Sequence, residues 1–307
     1  MADISRSEVS TLIQEEYGND LLTAAATSSA AMQLFRTVDM GTKARNLPVL
    51  ATLPEADFVS ESATQDEGVK PTSQVTWANK QLVAEEIAVI IPVHENVVDD
   101  ATEDILSQIA TQGGAAIGRK LDGAVFFGTD KPASWVSDDL LAAAVAASQT
   151  VTVGAVEDGE DLGGSIYMAA ELVDEAGFDP SAFAAPRGLR FRLPNIRNAD
   201  GTPIWAPGAD GTLDNVAGLS AAYVPGRVWD RDEAEGFVFD REAVLIGVRQ
   251  DVTVKFLDQA TVGGINLAER DMVALRFKAR YAYVLGNTRT SEGAAKCPVA
   301  AILPAGS

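Results

Sequence analysis

The 307-residue chain has one cysteine, Cys297, and one histidine, His94. A lone thiol cannot form an intrachain disulfide, so the fold requires neither an oxidising compartment nor a cysteine-based metal cluster. A lone imidazole cannot build a two-histidine zinc or iron site, and no nucleophile-elbow sequence accompanies it toward a hydrolytic triad. No metal and no cofactor is therefore expected. Basic residues are scarce as well: 24 Lys and Arg against 44 Asp and Glu leave a net charge of −20, which argues against the continuous phosphate contacts of a dedicated DNA-binding protein. Long apolar runs are missing too. "MADISRSEVSTLIQEEYGND" has no basic stretch ahead of an apolar core, and "LLTAAATSSAAMQLF" is broken by Thr and Ser well short of a membrane span. A soluble chain without a signal peptide or a membrane partner is expected.

What is present is a large apolar complement, 47% of the residues, enough for a substantial core shared between about two domains. Residues 1–46 read as an arm: a short helical piece around Glu8 to Tyr17, a Gly-Asn break, then Ala- and Ser-rich sequence from Leu21 to Phe35 with little to bury. Residues 47–91 read as an extended hairpin loop. Val75 to Ile91 is rich in Val and Ile and reads as one long strand, while Asp66, Glu67 and Gly68 mark the tip. Such a hairpin has no apolar face of its own, and an isolated two-stranded ribbon is marginal in water. Something outside it must cover it. Trp77, a large aromatic on that ribbon, is the expected anchor.

Pro92 is read as the switch to a helical period, because proline fits a first turn. Leu106, Ala110, Gly113, Ile117, Leu121, Ala124 and Val125 recur at helical spacing. Thr102 reads as the N-cap and Gly128 as the stop, giving a helix of about 40 Å. Gly113, Gly114 and Gly118 lower its propensity and point to a close-packed neighbouring backbone. Further helices are expected from Ser137, as N-cap, through "LLAAAVAASQ", and over "GSIYMAAELVDEAGF". Strands are expected at "SAFAAPRGL", "GFVFD", "AVLIGVRQDVTVKFLD" and "DMVALRFKARYAYVL". In the last, Leu275, Phe277, Ala279, Tyr281 and Tyr283 alternate with Arg276, Lys278 and Arg280, an apolar face backed by a basic one. The class is α+β.

Motifs that would carry catalysis fail on inspection. "GGAAIGRK" has glycine spacing but ends Arg-Lys inside a helical pattern, unlike a phosphate loop. "ADGT" at Ala199 and Ala209 lacks the closing Glu of a calcium loop, so Asp-Gly turns are the better reading. His94 reads as a polar residue in the first turn of the long helix. Glu85 and Glu86, like Asp99 and Asp100, are sequence neighbours whose side chains diverge, which suits solvated charge or an intersubunit salt bridge more than acid–base work. Arg187, Arg190, Arg192 and Arg197 form the densest basic cluster, placed to meet phosphates or a neighbouring subunit's carboxylates. The candidate contact residues are thus Trp77, Glu85, Glu86, Arg187, Arg190, Arg192, Arg276, Lys278 and Arg280.

Three stretches together resemble a known family. "VAEEIAVIIPVHENVVDDATEDILSQIATQGGAAIGRKLDGAVFFGTD" is similar to a strand leading into a spine helix. "LVDEAGFDPSAFAAPRGLRFRLPNIRNADGTPIW" is similar to a helix, G-x-x-P, strand, P-R and D-x-x-G-x-P-I/L-W run. "REAVLIGVRQDVTVKFLDQA" with "ERDMVALRFKARYAYVL" resembles the closing strands. In this order they resemble the tailed-bacteriophage major capsid proteins of the Hong Kong 97 type, from about Leu47 to Leu285. The resemblance implies an α+β fold with an N-terminal arm (1–46), an extended β-hairpin loop (47–91), a peripheral domain with the spine helix (92–135 and 236–287) and an axial domain (136–235 and 288–307).

It also implies a structural subunit, not an enzyme. Copies would assemble as hexamers and pentamers into an icosahedral shell around double-stranded DNA, the loop of each lying over the peripheral domain of the next. Location in the virion capsid after assembly in the host cytoplasm, a portal and possible scaffold or decoration proteins, and weak non-specific contact with packaged DNA follow from the same likeness. Some members weld neighbours through a lysine–asparagine isopeptide. Lys70 and Lys80 are the loop lysines here, and Asn266 and Asn287 lie near the closing strands, but none stands in a matching motif; Lys80 joins the contact candidates. Two other functions stand beside this one: an encapsulin-type compartment enclosing enzyme cargo, and a soluble hydrolase using His94 with a serine and an acid.

Overall fold

The computed structural model describes residues 29–50, 77–99, 105–154, 162–196, 213–225, 228–286 and 296–305, with the backbone alone at 48–50, 77–78, 98–99 and 105–107. Its organising strand is β13 (Met272–Leu285). The period-2 alternation works as expected: Leu275, Phe277, Ala279, Tyr281 and Tyr283 are all buried. β13 runs antiparallel to β10 (Val244–Leu257) on one side and to β4 (Glu85–His94) on the other, and β1 (Arg36–Asp39) adds to β10 in parallel. The order is β1-β10-β13-β4.

Helix α3 (Ile105–Phe126) packs on the apolar face of this sheet. At 22 residues it is about 33 Å long. It stops where expected: Gly128 takes a φ of 67°, and Thr129 N–H donates back to the Gly123 carbonyl at 3.1 Å. Gly113 is needed for a different reason from the one expected. A Cβ there would lie 2.7 Å from the Phe277 ring, so the close neighbour is an aromatic face and not a backbone. The expected cap Thr102 lies outside the described residues.

A second, six-stranded sheet is ordered β5-β14-β9-β6-β8-β7, with β5 Thr150–Thr152, β6 Ala182–Pro186, β7 Asn215–Val216, β8 Leu219–Val224, β9 Gly236–Phe239 and β14 Val299–Leu303. All five residues of β6 are buried, as a strand covered on both faces requires. Helices α4 (Leu140–Ala146) and α5 (Leu162–Glu175) cover this sheet. α4 starts two residues later than Ser137 predicts: Asp139 is the N-cap and accepts from Ala142 N–H at 3.1 Å, while Ser137 Oγ accepts from Leu285 N–H. Because β9 pairs with β14 and β6, a division by sheets falls after Phe239, not before Gly236.

Three further expectations are corrected by the strand pairing. Residues 29–39, assigned to the arm, belong to the body. Helix α1 (Ala30–Leu34) buries Ala30, Ala31 and Leu34, and the Phe35 ring lies 4.9 Å from that of Phe239 and 5.8 Å from that of Phe126. The segment from Val75 to Ile91 is not one strand: β3 (Trp77–Val83) pairs with β2 (Ala44–Leu50), and the chain changes sheets at buried Ala84 to become β4. Pro92 does not open the helix. It sits exposed in β4, which is an edge strand and so tolerates a residue without a ladder donor. Helical structure begins at Glu95 with the five-residue α2 (Glu95–Asp99). His94 accordingly ends a strand, exposed and opposite Met272, instead of lying in a helical turn.

Candidate assembly surfaces

The β2–β3 ribbon pairs with no other strand among the described residues. It is anchored to its own body in its inner part, where Leu82 and Ala84, with Leu47 beside them, pack with Met40, Ala282 and Val284, and Trp135 Nε1–H donates to the Val83 carbonyl at 3.0 Å. At the same level, residues 41–46 of the connecting turn and the facing strand are exposed, and farther out Asn79 is exposed. The tip and Lys70 lie outside the described residues, as does the Trp77 side chain. Lys80 is not a free loop lysine: its ammonium donates to the Leu285 carbonyl of its own chain, and burial lowers its pKa. A Lys43–Glu85 ion pair at 3.8 Å, largely exposed on the lysine side, adds little.

The outer face of the four-stranded sheet carries the basic half of the β13 alternation. Direct cross-strand pairing sets three rows: Lys255, Arg276 and Ile90; Thr253, Lys278 and Ala88; Gln250, Arg280 and Glu86. Four cations thus share these rows with one carboxylate. Glu86 accepts from Lys278 at 2.7 Å and lies 3.9 Å from Arg280 Nε, and the Lys278 hydrogen bond holds its carboxyl below the usual range. The Nε–H groups of Arg276 and Arg280 are buried and have no hydrogen-bond acceptor among the described residues. On a chain of net charge −20 this ridge is a local inversion of sign.

The arginine cluster read from sequence divides in space. Arg192 donates to both oxygens of Glu235 at 2.9 Å, and Arg231 reaches the same carboxylate at 3.0 Å, so Arg192 is paired within its own chain. The Arg190 guanidinium lies 5.6 Å from the Phe191 ring centroid. Arg187 and Arg190 flank a cavity of about 540 Å³ between α1, α3 and β8. Arg197 lies outside the described residues.

Two features escaped the sequence. Asp122 is buried on α3 and accepts from Ser29 Oγ at 2.7 Å and from the Ala30 and Ala31 N–H groups at 3.0 Å each. Burial pushes its pKa up to about 6, with those three hydrogen bonds opposing the shift. Nothing in a pattern of Gly and Ala around an isolated Asp announces a partner 93 residues away. The other is a set of exposed apolar side chains, led by Val136 at 84% and Phe191 at 71% exposure, with Tyr167 and Val145 behind them. Tyr167 was legible in principle, since Ile166, Ala169 and Val173 define the buried face of α5 and leave it outside.

Among the described residues no group of three or more His, Cys, Asp and Glu side chains is placed to hold a metal ion. Cys297 is buried, and burial raises its thiol to about 11, which leaves it an inert hydrophobe at neutral pH.

The model of the phage capsid family matches residues 10–289. A chain in a solved structure from Mycobacterium phage Bobi is 58% identical, with a TM-score of 0.80 and 100% of both chains covered. One from Mycobacterium phage Adephagia is 52% identical, with a TM-score of 0.80 over 100% of this chain and 99% of that one. One from Microbacterium phage Oxtober96 is 41% identical, with a TM-score of 0.79 over 99% and 100%. No curated protein matches the chain.

Proposed function

The chain belongs to the phage capsid family and is a structural capsid subunit of a tailed phage that associates with its own copies, and from that premise we propose how the copies interlock. The β2–β3 ribbon of one subunit crosses to the next and lies on the outer face of its four-stranded sheet. The observation that supports this is the ribbon's separate pairing: among the described residues no third strand joins β2 and β3, and their contacts with their own body lie in the inner part of the ribbon, at Ala84, Leu82, Leu47 and Lys80. Charge supports the choice of receiving surface. Residues 51–76 contain Glu55, Asp57, Glu61, Asp66 and Glu67 against Lys70 alone, and the rows of β10, β13 and β4 offer Lys255, Arg276, Lys278 and Arg280. The partly exposed Lys278 and Arg280 side chains, which share the single carboxylate of Glu86, suit further carboxylate acceptors.

In this arrangement the four-stranded sheet with α3 is the peripheral domain and the six-stranded sheet the axial domain. Subunits assemble in the host cytoplasm as hexamers and pentamers around a portal, with any scaffold or decoration protein a separate chain. The subunit has no catalytic role. Its strongly negative charge keeps contact with packaged DNA weak, because phosphate–lysine contacts in number would pin the genome. Each intersubunit contact can be modest, since closure of the lattice sums many of them. A cryo-electron microscopy reconstruction of assembled particles tests the arrangement: residues 51–76 are expected over the Arg276–Arg280 face of an adjacent copy, and a ribbon folded back on its own body would refute it.

A further inference from the structure

We propose that the cavity between α1, α3 and β8 is the docking site for the acidic amphipathic segment Glu8–Tyr17 of the same chain. The cavity measures about 540 Å³; Ala30, Ala115, Ala222 and Tyr223 supply its apolar lining beside the polar Gln33 and Thr111, and Arg187 and Arg190 line it just beyond the end of β6. One acid, Asp214, also lines it. Neither Arg187 nor Arg190 makes an ion pair within 4.0 Å among the described residues; the Arg190 guanidinium lies 5.6 Å from the Phe191 ring centroid and close enough to Tyr223 to act on its hydroxyl, and both arginines line the space. Arg192, by contrast, is committed to Glu235.

The occupant follows from where the chain enters. Ala30 is itself a wall of the cavity, and the root at Ser29–Leu34 is held fast: Asp122 accepts from Ser29, Ala30 and Ala31, and Arg241 Nε–H donates to the Leu34 carbonyl at 2.8 Å. The 28 residues before Ser29 therefore begin at the rim. They hold Asp3, Glu8, Glu15, Glu16 and Asp20 against Arg6 alone. Val9, Leu12, Ile13 and Tyr17 recur at the spacing of one helix face, the pattern of an amphipathic helix laid in a groove. Its apolar stripe fits the alanine and tyrosine walls, and its flanking carboxylates fit Arg187 and Arg190. From Tyr17 to Ser29 the tether spans up to about 40 Å when extended, so the segment reaches the cavity easily and at an effective concentration of the order of millimolar. This contact lies within one chain and stands apart from the intersubunit arrangement above.

Disulfide trapping in the full-length subunit tests it, because the single native thiol, Cys297, is buried. With Ile13→Cys and Ala222→Cys together, mild oxidation is expected to give an intrachain bond, read as a shifted monomer band and by peptide mass. Adding Arg187→Glu and Arg190→Glu is expected to slow bond formation at least tenfold. An interchain dimer would assign the cavity to a neighbour's arm and overturn the proposal, as would no bond. Hydrogen exchange on the unmodified free subunit gives a second readout: residues 8–17 are expected to be protected, and protection is expected to vanish in R187E/R190E. Full exchange in the unmodified chain would overturn it, whether or not electron microscopy shows shells.

Discussion

The Asp122 carboxylate on α3 accepts a 2.7 Å hydrogen bond from Ser29 Oγ, and through Ala30 and Ala31 it gathers the first free N–H groups of α1. A buried charge is costly unless its lone pairs are filled. Three donors fill most of them, and the pKa still rises from 3.8 to about 6. The start of α1 is thus tied to α3 by a group whose pKa is pushed up to about 6.

The sign of the pH effect follows from that shift. A carboxyl whose folded pKa is raised contributes stability that is fully present below about 3.8 and lost as pH rises through about 6. Asp122→Asn removes the titration and leaves one N–H of α1 without an acceptor, at a cost of about 1–3 kcal/mol. The gap in Tm between the native subunit and D122N is expected to widen as pH falls from 8 to 5. Thermal unfolding across that range checks it, and a constant or narrowing gap counts against a buried, titrating Asp122.

Gly113→Ala separates propensity from packing. Alanine favours a helix interior by about 1 kcal/mol, yet its Cβ would meet two Phe277 ring carbons at 2.7 Å. The ring is locked in the core and cannot swing aside, so a net loss of about 1–3 kcal/mol is expected. Urea unfolding of the free subunit measures it; a stabilised variant would mean that α3 does not press on β13 as described.

Deleting Glu61 to Lys70, or making Trp77→Ala, acts on the ribbon beyond its buried root. Subunit secondary structure and Tm are expected to hold within about 1 kcal/mol of stability, while particle yield falls severalfold. Size-exclusion chromatography reads both outcomes, and undiminished shells would show that the ribbon's outer half is dispensable.

Legibility followed the range of the interaction that decides each element. β13 could be read because alternation is local: Phe277 in and Lys278 out requires no knowledge of the rest of the chain. The stop of α3 at Gly128 was readable on the same ground. Misjudged features were those decided by a distant partner. Pro92 resembles a helix opener until β13 pairs with β4 and makes it an edge-strand residue. Residues 29–35 look like a tail with little to bury, because Asp122, Phe126 and Phe239, which receive them, lie about ninety or more positions away. Lys80 and Arg192 looked available for a neighbour, but Leu285 and Glu235 of the same chain already hold them. Of the contact candidates, Arg276, Lys278 and Arg280 do form one face, because a single strand's alternation puts them there.

The ribbon-on-sheet arrangement is tested most directly by exchanging charge between its two sides. Arg276→Glu with Lys278→Glu is expected to abolish closed particles while the subunit stays folded, and Asp66→Lys with Glu67→Lys to do the same. Combining the four changes in one chain is expected to restore particles counted by electron microscopy, because every receiving face then meets a ribbon of opposite sign. Unimpaired assembly of either pair alone, or a four-fold variant no better than the pairs, would contradict it.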